Sequence, residues 1–166
     1  MVVEKYNPKW PEQFRELKEF LEKNTTEYIS IEHVGSTSIP GMNAKPIIDI
    51  DVIVEDATQF LKLKEELSKI GYVHEGDYGI PGREAFDHEK VPVSIEHHLY
   101  VCVQDNAELK RHLKFRDALR SNPELVNEYN KIKEEILAKV GADNRAGYVQ
   151  MKEKEYKYFF EKVIEG

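Results

Sequence analysis

Residues His33–Val54, HVGSTSIPGMNAKPIIDIDVIV, decide how the rest of the chain is read. The run is apolar at both ends and broken in the middle by Gly35-Ser36, Pro40-Gly41 and Pro46. That punctuation predicts the end of one strand, a loop from Gly35 to Pro46, and a second strand over Ile47–Val54. The second strand holds Asp49 and Asp51 inside an otherwise apolar sequence. Side chains at i and i+2 of a strand share a face, so the two carboxylates are neighbours. Carboxylates this close repel each other and shift their ionisation unless a cation or a basic side chain lies between them. A Gly-Ser turn at a strand exit presents backbone N–H groups and a hydroxyl to an anion. Together these features describe a place to hold a metal-bound polyphosphate.

Working outward, composition sets the class. The chain has 166 residues, 40% hydrophobic and 33% charged, which fits a folded globular protein of about one domain. No apolar run is long enough to span a bilayer, and the N-terminal residues lack the layout of a signal peptide. The single cysteine, Cys102, excludes an internal disulfide and sits in an apolar strand as a small buried hydrophobe. A cytoplasmic location is expected. The net charge of −7 argues against a general nucleic-acid coat, which needs a broad basic face. It leaves room for a small anionic ligand approached through a metal.

Before the central stretch, Pro11 in the first turn and Phe14, Leu17 and Leu21 on one stripe predict a helix, with Trp10 packed under its entry. Tyr28–Val34 is the first strand. After the central stretch, Ala57–Ile70 is an amphipathic helix with Phe60, Leu63, Leu67 and Ile70 on its stripe, capped by Gly71. Tyr72–His74 starts a short strand. Glu75–Pro92, polar and rich in Gly and Pro, reads as a loop or a loose hairpin carrying Arg83 and Phe86. Val93–Val103 returns to strand character, with Glu96, His98 and Tyr100 on one face. Helices then follow over 106–120, over 122–140 from the Asn122-Pro123 start to Gly141, and over 145–164. The expected architecture is α+β: a small mixed or antiparallel sheet with flanking helices and a helical C-terminal cap. The division expected is a core over 1–104 and a helical extension over 105–166.

The motifs sort by chemistry. Asp49 and Asp51 suit Mg²⁺ or Mn²⁺, since such an ion takes a few carboxylate oxygens plus substrate phosphates. Two ions of this kind align a nucleophile and stabilise a leaving pyrophosphate. Gly35 and Ser36 are candidates for the phosphates, while Lys45 either touches a phosphate or solvates the loop. Gly41 is followed by Met42, so the loop is not a P-loop, and no G-x-S-x-G elbow exists. Glu96 is the candidate third carboxylate. His33, His98, Tyr100, Arg83 and Arg116 complete the candidate pocket, Arg83 and Arg116 as phosphate ligands. Zinc is not expected, because His97 and His98 face opposite ways and no further ligand has the spacing.

The run HVGSTSIPGMNAKPIIDIDV resembles the signature of the GrpB family, a branch of the nucleotidyltransferase-fold superfamily. The likeness extends to Arg83 and Phe86 (R-x-x-F), His98–Val101 (H-L-H-V), Phe115–Arg120 with Pro123 (F-R-D-x-L-R), and Tyr148 and Lys152. It implies a nucleotidyltransferase-like fold, Gly35 and Ser36 at a triphosphate, and Asp49 and Asp51 on Mg²⁺. The activity implied is transfer of a nucleoside monophosphate from an NTP to an unknown acceptor. A phosphorylated small molecule held without turnover is the alternative. Two departures stand out. Tyr100 occupies a position where the family often has a second histidine, and the superfamily's third carboxylate has no counterpart beyond Glu96.

Overall fold

The computed structural model describes residues 3–141 and 145–165. Helix α1 (Lys9–Asn24) leads to strand β1 (Ser30–Val34), a 3₁₀ turn (Ser36–Ser38), and strand β2 (Ile48–Val54). Then come α2 (Ala57–Lys69), β3 (Val73–Gly76), β4 (Arg83–Asp87) and β5 (His97–Val103). Helices α3 (Ala107–Arg120), α4 (Pro123–Val140) and α5 (Arg145–Glu165) complete the described chain. The fold is α+β, as expected.

The five strands form one sheet in the order β1-β2-β5-β4-β3. β2 runs parallel to β5, while the β1–β2, β5–β4 and β4–β3 pairs are antiparallel. A parallel pair needs a crossover, and here α2 with the β3–β4 hairpin supplies it. Strand alternation separates two chemistries. Ile48, Ile50, Val52 and Val54 face one side, and with Ile31, Leu99 and Val101 they pack under Trp10, Leu17 and Leu21 of α1 and Leu63 and Leu67 of α2. On the other face lie Asp49, Asp51 and Ile53, and Ile53 packs with Cys102 against Leu109 of α3. The acids therefore sit at the margin of a second core.

A further cluster joins Phe115 and Leu119 of α3 to Val126 and Tyr129 of α4 and Phe159, Phe160 and Val163 of α5. Ile39 and Met42 from the central loop are buried in that same cluster. The loop is thus inserted into the helices and is part of their core. Side chains cap the helix starts: Asp56 accepts from the Gln59 amide, Asn106 from Leu109 and Asn122 from Glu124.

Two expectations need correction, and a third is resolved between its alternatives. Helix α1 starts at Lys9, not Pro11, with Pro8 at its N-cap, so Trp10 lies inside the first turn. The segment expected as loop or loose hairpin is a hairpin whose second strand contains Arg83 and Phe86. Strand β5 begins at His97, four residues later than expected, because Val91 and Val93 make a tight turn around Pro92, which has no amide to donate.

Candidate functional site

Between the acid-bearing face of the sheet and helices α3–α5 lies a cavity of about 620 Å³. Gly35, Ser36, Lys45 and Asp49 from the central stretch line it, with His98 and Tyr100 from β5 and Arg83 from β4. The helices contribute His112, Arg116, Tyr129, Lys133 and Tyr148 to the wall. Within a chain of net charge −7, four Lys or Arg residues and a single carboxylate on this wall make it a place for an anion.

Register explains the local order. Asp49 pairs with His98 on β5 and Val34 on β1, and Asp51 pairs with Tyr100 and Glu32. His98 Nδ1 hydrogen-bonds Asp49 Oδ1 at 2.9 Å, and this bond pushes the His98 pKa upward against burial. Gly35 has φ +73°, and a Cβ there would collide with Asp49 Oδ2. Only glycine lets the loop backbone approach the carboxylate this closely.

Asp51 is different. Its side chain is 0% exposed, it does not line the cavity, and its Oδ1 meets Arg83 Nη2 at 3.3 Å. Arg83 does line the cavity, with its guanidinium 3.6 Å from the centroid of the Tyr100 ring. Tyr100 is thus the surface on which Arg83 rests. Burial pushes the Asp51 carboxyl up to about 6; Arg83 opposes the rise and Asp49 adds to it.

The phosphate-side candidates are held from the helices. Lys133 of α4 is 1% exposed; its Nζ donates to Ser36 Oγ at 3.0 Å and to the Asn43 carbonyl. Asn130, three residues earlier, donates to the Gly41 carbonyl and accepts from the Asn43 amide. Arg120 Nε donates to the Ser38 carbonyl at 2.9 Å. Sequence reasoning missed Lys133, although the signal was there: it lies four residues after Tyr129 and three before Ile136, on the buried stripe of α4. A lysine in that position needs a polar partner inside the protein.

Not every candidate reaches the cavity. Glu96, read from the sequence as a strand acid on the face of His98 and Tyr100, precedes β5. Its side chain is 70% exposed and meets His88 at 3.8 Å. The alternation argument failed there because the strand had not yet begun. Glu32, opposite Asp51, is the acid that the sheet does place on this face, but it is bonded to Arg116 at 3.2 Å. Arg116 also donates to Asp117 and to the His33 carbonyl, so its guanidinium ties α3 to β1. His33 is buried behind the wall, stacked on Phe14 with its Nε2 2.9 Å from Thr37 Oγ1. Burial, with Arg120 and Arg116, takes its pKa down to about 3, so it is neutral. Tyr148 lies on the wall, whereas the side chain of Lys152 lies outside the described residues.

Asp51 Oδ2 is buried without a hydrogen-bond partner, and its neighbour Asp49 faces the cavity. Two same-face carboxylates, one with an unpartnered oxygen, fit one hard cation that completes its shell with water and phosphate. Among the described residues no group of three His, Cys, Asp or Glu side chains is placed to ligate a metal.

Comparison with known proteins gives the context. A family model described as GrpB protein matches residues 1–164. The curated protein YqkA of Bacillus subtilis is 40% identical over 149 residues, covering 89% of this chain and 43% of that protein. BH1888 of Halalkalibacterium halodurans is 36% identical over 137 residues, covering 79% of this chain and 66% of that protein. This chain therefore spans less than two thirds of either relative. The crystal structure of conserved protein GrpB from Enterococcus faecalis superposes with a TM-score of 0.80 at 36% identity, covering 99% of this chain and 98% of that one. The Cid1 poly(U) polymerase, in a structure described as bound to Mg 3'-dATP, matches with a TM-score of 0.57 at 14% identity. It covers 89% of this chain and 49% of the polymerase, a likeness of fold.

Proposed function

The chain belongs to the GrpB family, and on that premise we propose that its cleft binds the polyphosphate of a nucleoside triphosphate together with one Mg²⁺ or Mn²⁺ and transfers the nucleoside monophosphate to an acceptor. The observation that carries this reading is the buried Lys133–Ser36 pair, which sits on one cavity wall with Asp49. Lys133 and the Ser36 hydroxyl would hold the terminal phosphates, with Lys45 adding positive charge. Asp49 would hold the cation, joined by Asp51. When bound, the cation neutralises the polyphosphate and the departing pyrophosphate. His98, bonded to Asp49, orients that carboxylate. In the transfer, the bond between the α-phosphorus and the oxygen bridging to the β-phosphorus breaks as the acceptor oxygen bonds to the α-phosphorus; pyrophosphate departs and the acceptor's proton passes to solvent. Positioning and charge neutralisation account for catalysis of this kind.

A second reading, nucleotide binding without turnover, is favoured by one observation. Glu96 does not stand with Asp49 and Asp51, and Glu32 is engaged by Arg116. Incubation with each α-³²P-labelled NTP, Mg²⁺ and a bacterial extract separates the two. Label should move to a new species, and Asp49→Asn should reduce the transfer at least a hundredfold. Transfer that survives Asp49→Asn overturns the enzymatic reading. Saturable NTP binding with no transferred label establishes the second.

A further inference from the structure

The Asp51–Arg83 pair is buried but incomplete. A single long contact of 3.3 Å joins the two groups, in place of the paired parallel bonds that Arg and a carboxylate can form. Asp51 Oδ2 and Arg83 Nε are both buried and both lack a hydrogen-bond partner. Unsatisfied donors and acceptors of this sort are costly, and two on one ion pair indicate that the pair serves more than stability. Their placement is also asymmetric: Arg83 faces the cavity, and Asp51 lies off its wall with 0% exposure. A cation entering from the cavity meets the guanidinium before it meets Asp51.

From this geometry, and resting on the nucleotide reading above, we propose that Arg83 exchanges partners when a metal-complexed polyphosphate enters. Its guanidinium leaves Asp51 for a phosphate oxygen, and the uncovered Asp51 carboxylate joins Asp49 on the cation. No covalent bond changes. Both orphaned atoms gain partners in the exchange. The guanidinium lies 3.6 Å from the centroid of the flat Tyr100 ring, a surface across which it can slide.

The consequence is selectivity for the complex over its parts. A metal ion alone must evict Arg83 and leave a buried guanidinium with no counterion. A polyphosphate alone meets Asp49 and gains Arg83 only by stripping Asp51 of its neutralising partner. Together, each ligand removes the other's penalty, which is a reciprocal coupling free energy between two subsites. Arg83 is then a specificity-determining residue, in contact with the ligand only after exchange.

The test measures each ligand separately on the full chain. Mn²⁺ binding without any phosphate is followed by the paramagnetic resonance signal of the free ion. Arg83→Gln should bind Mn²⁺ about tenfold more tightly than the wild type, because Asp51 is uncovered. Adding Asp51→Asn should cancel that gain. Metal-free inorganic tripolyphosphate, measured by calorimetry, should bind no more tightly to Arg83→Gln than to the wild type. Should Arg83→Gln fail to fold by circular dichroism, Arg83→Lys carries the same comparison, with a gain of at least twofold expected from the loss of the planar fork. An unchanged or weakened Mn²⁺ affinity overturns the exchange. If the wild type binds Mg²⁺-tripolyphosphate while that affinity stays flat, the exchange fails and the nucleotide reading stands. If the wild type does not bind Mg²⁺-tripolyphosphate, both fail.

Discussion

Gly35 and Asp49 meet because a glycine in the left-handed region brings the loop backbone against a strand carboxylate. Gly35→Ala should therefore act twice. The φ of +73° disfavours a side chain, and the new Cβ drives into Asp49 Oδ2. We expect a loss of about 1–3 kcal/mol in stability, with ligand affinity lost as well because Asp49 is displaced. Thermal unfolding and calorimetry with Mg²⁺-ATP check this, and a variant that matches the wild type in both would refute it. Part of this was legible in the sequence: Gly35, Ser36, Asp49 and Asp51 stood out by type and spacing. Lys133 was overlooked although its spacing from Tyr129 and Ile136 put it on the buried stripe of α4, because a single lysine on a long amphipathic helix is ordinarily solvated. Glu96 misled for the opposite reason, because its parity was right but its strand had not started.

At the scale of elements, the central loop owes its shape to helices far away in sequence. Asn130 and Lys133 of α4, and Arg116 and Arg120 of α3, together bond backbone groups of His33, Ser38, Gly41 and Asn43. Ile39 and Met42 are buried among the same helices. Asn130→Ala removes two of these bonds and leaves the Gly41 carbonyl and Asn43 amide without their protein partner. A cost of about 1–2 kcal/mol follows if water replaces them imperfectly. The sharper expectation is local: amide exchange should speed up in residues 36–44 while the β2–β5 pairing stays protected. Uniform protection across the loop would contradict this. Strands and helices themselves were largely readable, since their periodicities and caps are local. The hairpin strand over Arg83–Asp87 was obscured by glycines and a proline on its approach, and its antiparallel pairing with β3 and β5 makes it a strand.

For the whole molecule, buried titrating groups set the response to acid. His33 and His97 have folded-state pKa values lowered to about 3 and about 4, in both cases chiefly by burial. The His97 Nδ1–H donates to the Ile95 carbonyl, which leaves Nε2 to accept from the Tyr72 hydroxyl, a neutral arrangement. Their stabilisation is complete above the ordinary histidine pKa of about 6.5 and is lost as pH falls toward 4 and below. Asp51, raised to about 6, works oppositely: its burial as an anion costs most above pH 6, and that cost is relieved on acidification. Two histidines outweigh one carboxylate, so stability should fall between pH 6.5 and 4, by an amount on the order of 3 kcal/mol. Urea unfolding at pH 7 and pH 4.5 measures it, and His33→Gln should flatten the slope. Stability that rises with acid would show that Asp51 outweighs the two histidines.

By itself the sequence determined what is local or patterned: α+β character, the strand-loop-strand with its paired acids, the helix caps, and the resemblance to the GrpB family. Periodicity, turn residues and motif spacing encode those features over a few residues. Tertiary structure alone decided which chemistry faces the cavity. Asp49 is presented to it and Asp51 is covered, although the two share one strand face, because Arg83 arrives from a neighbouring hairpin and stacks on Tyr100. Ser36 gains a buried lysine from 97 residues away. Contacts that distant in the chain depend on how sheet and helices pack, and no local pattern carries them.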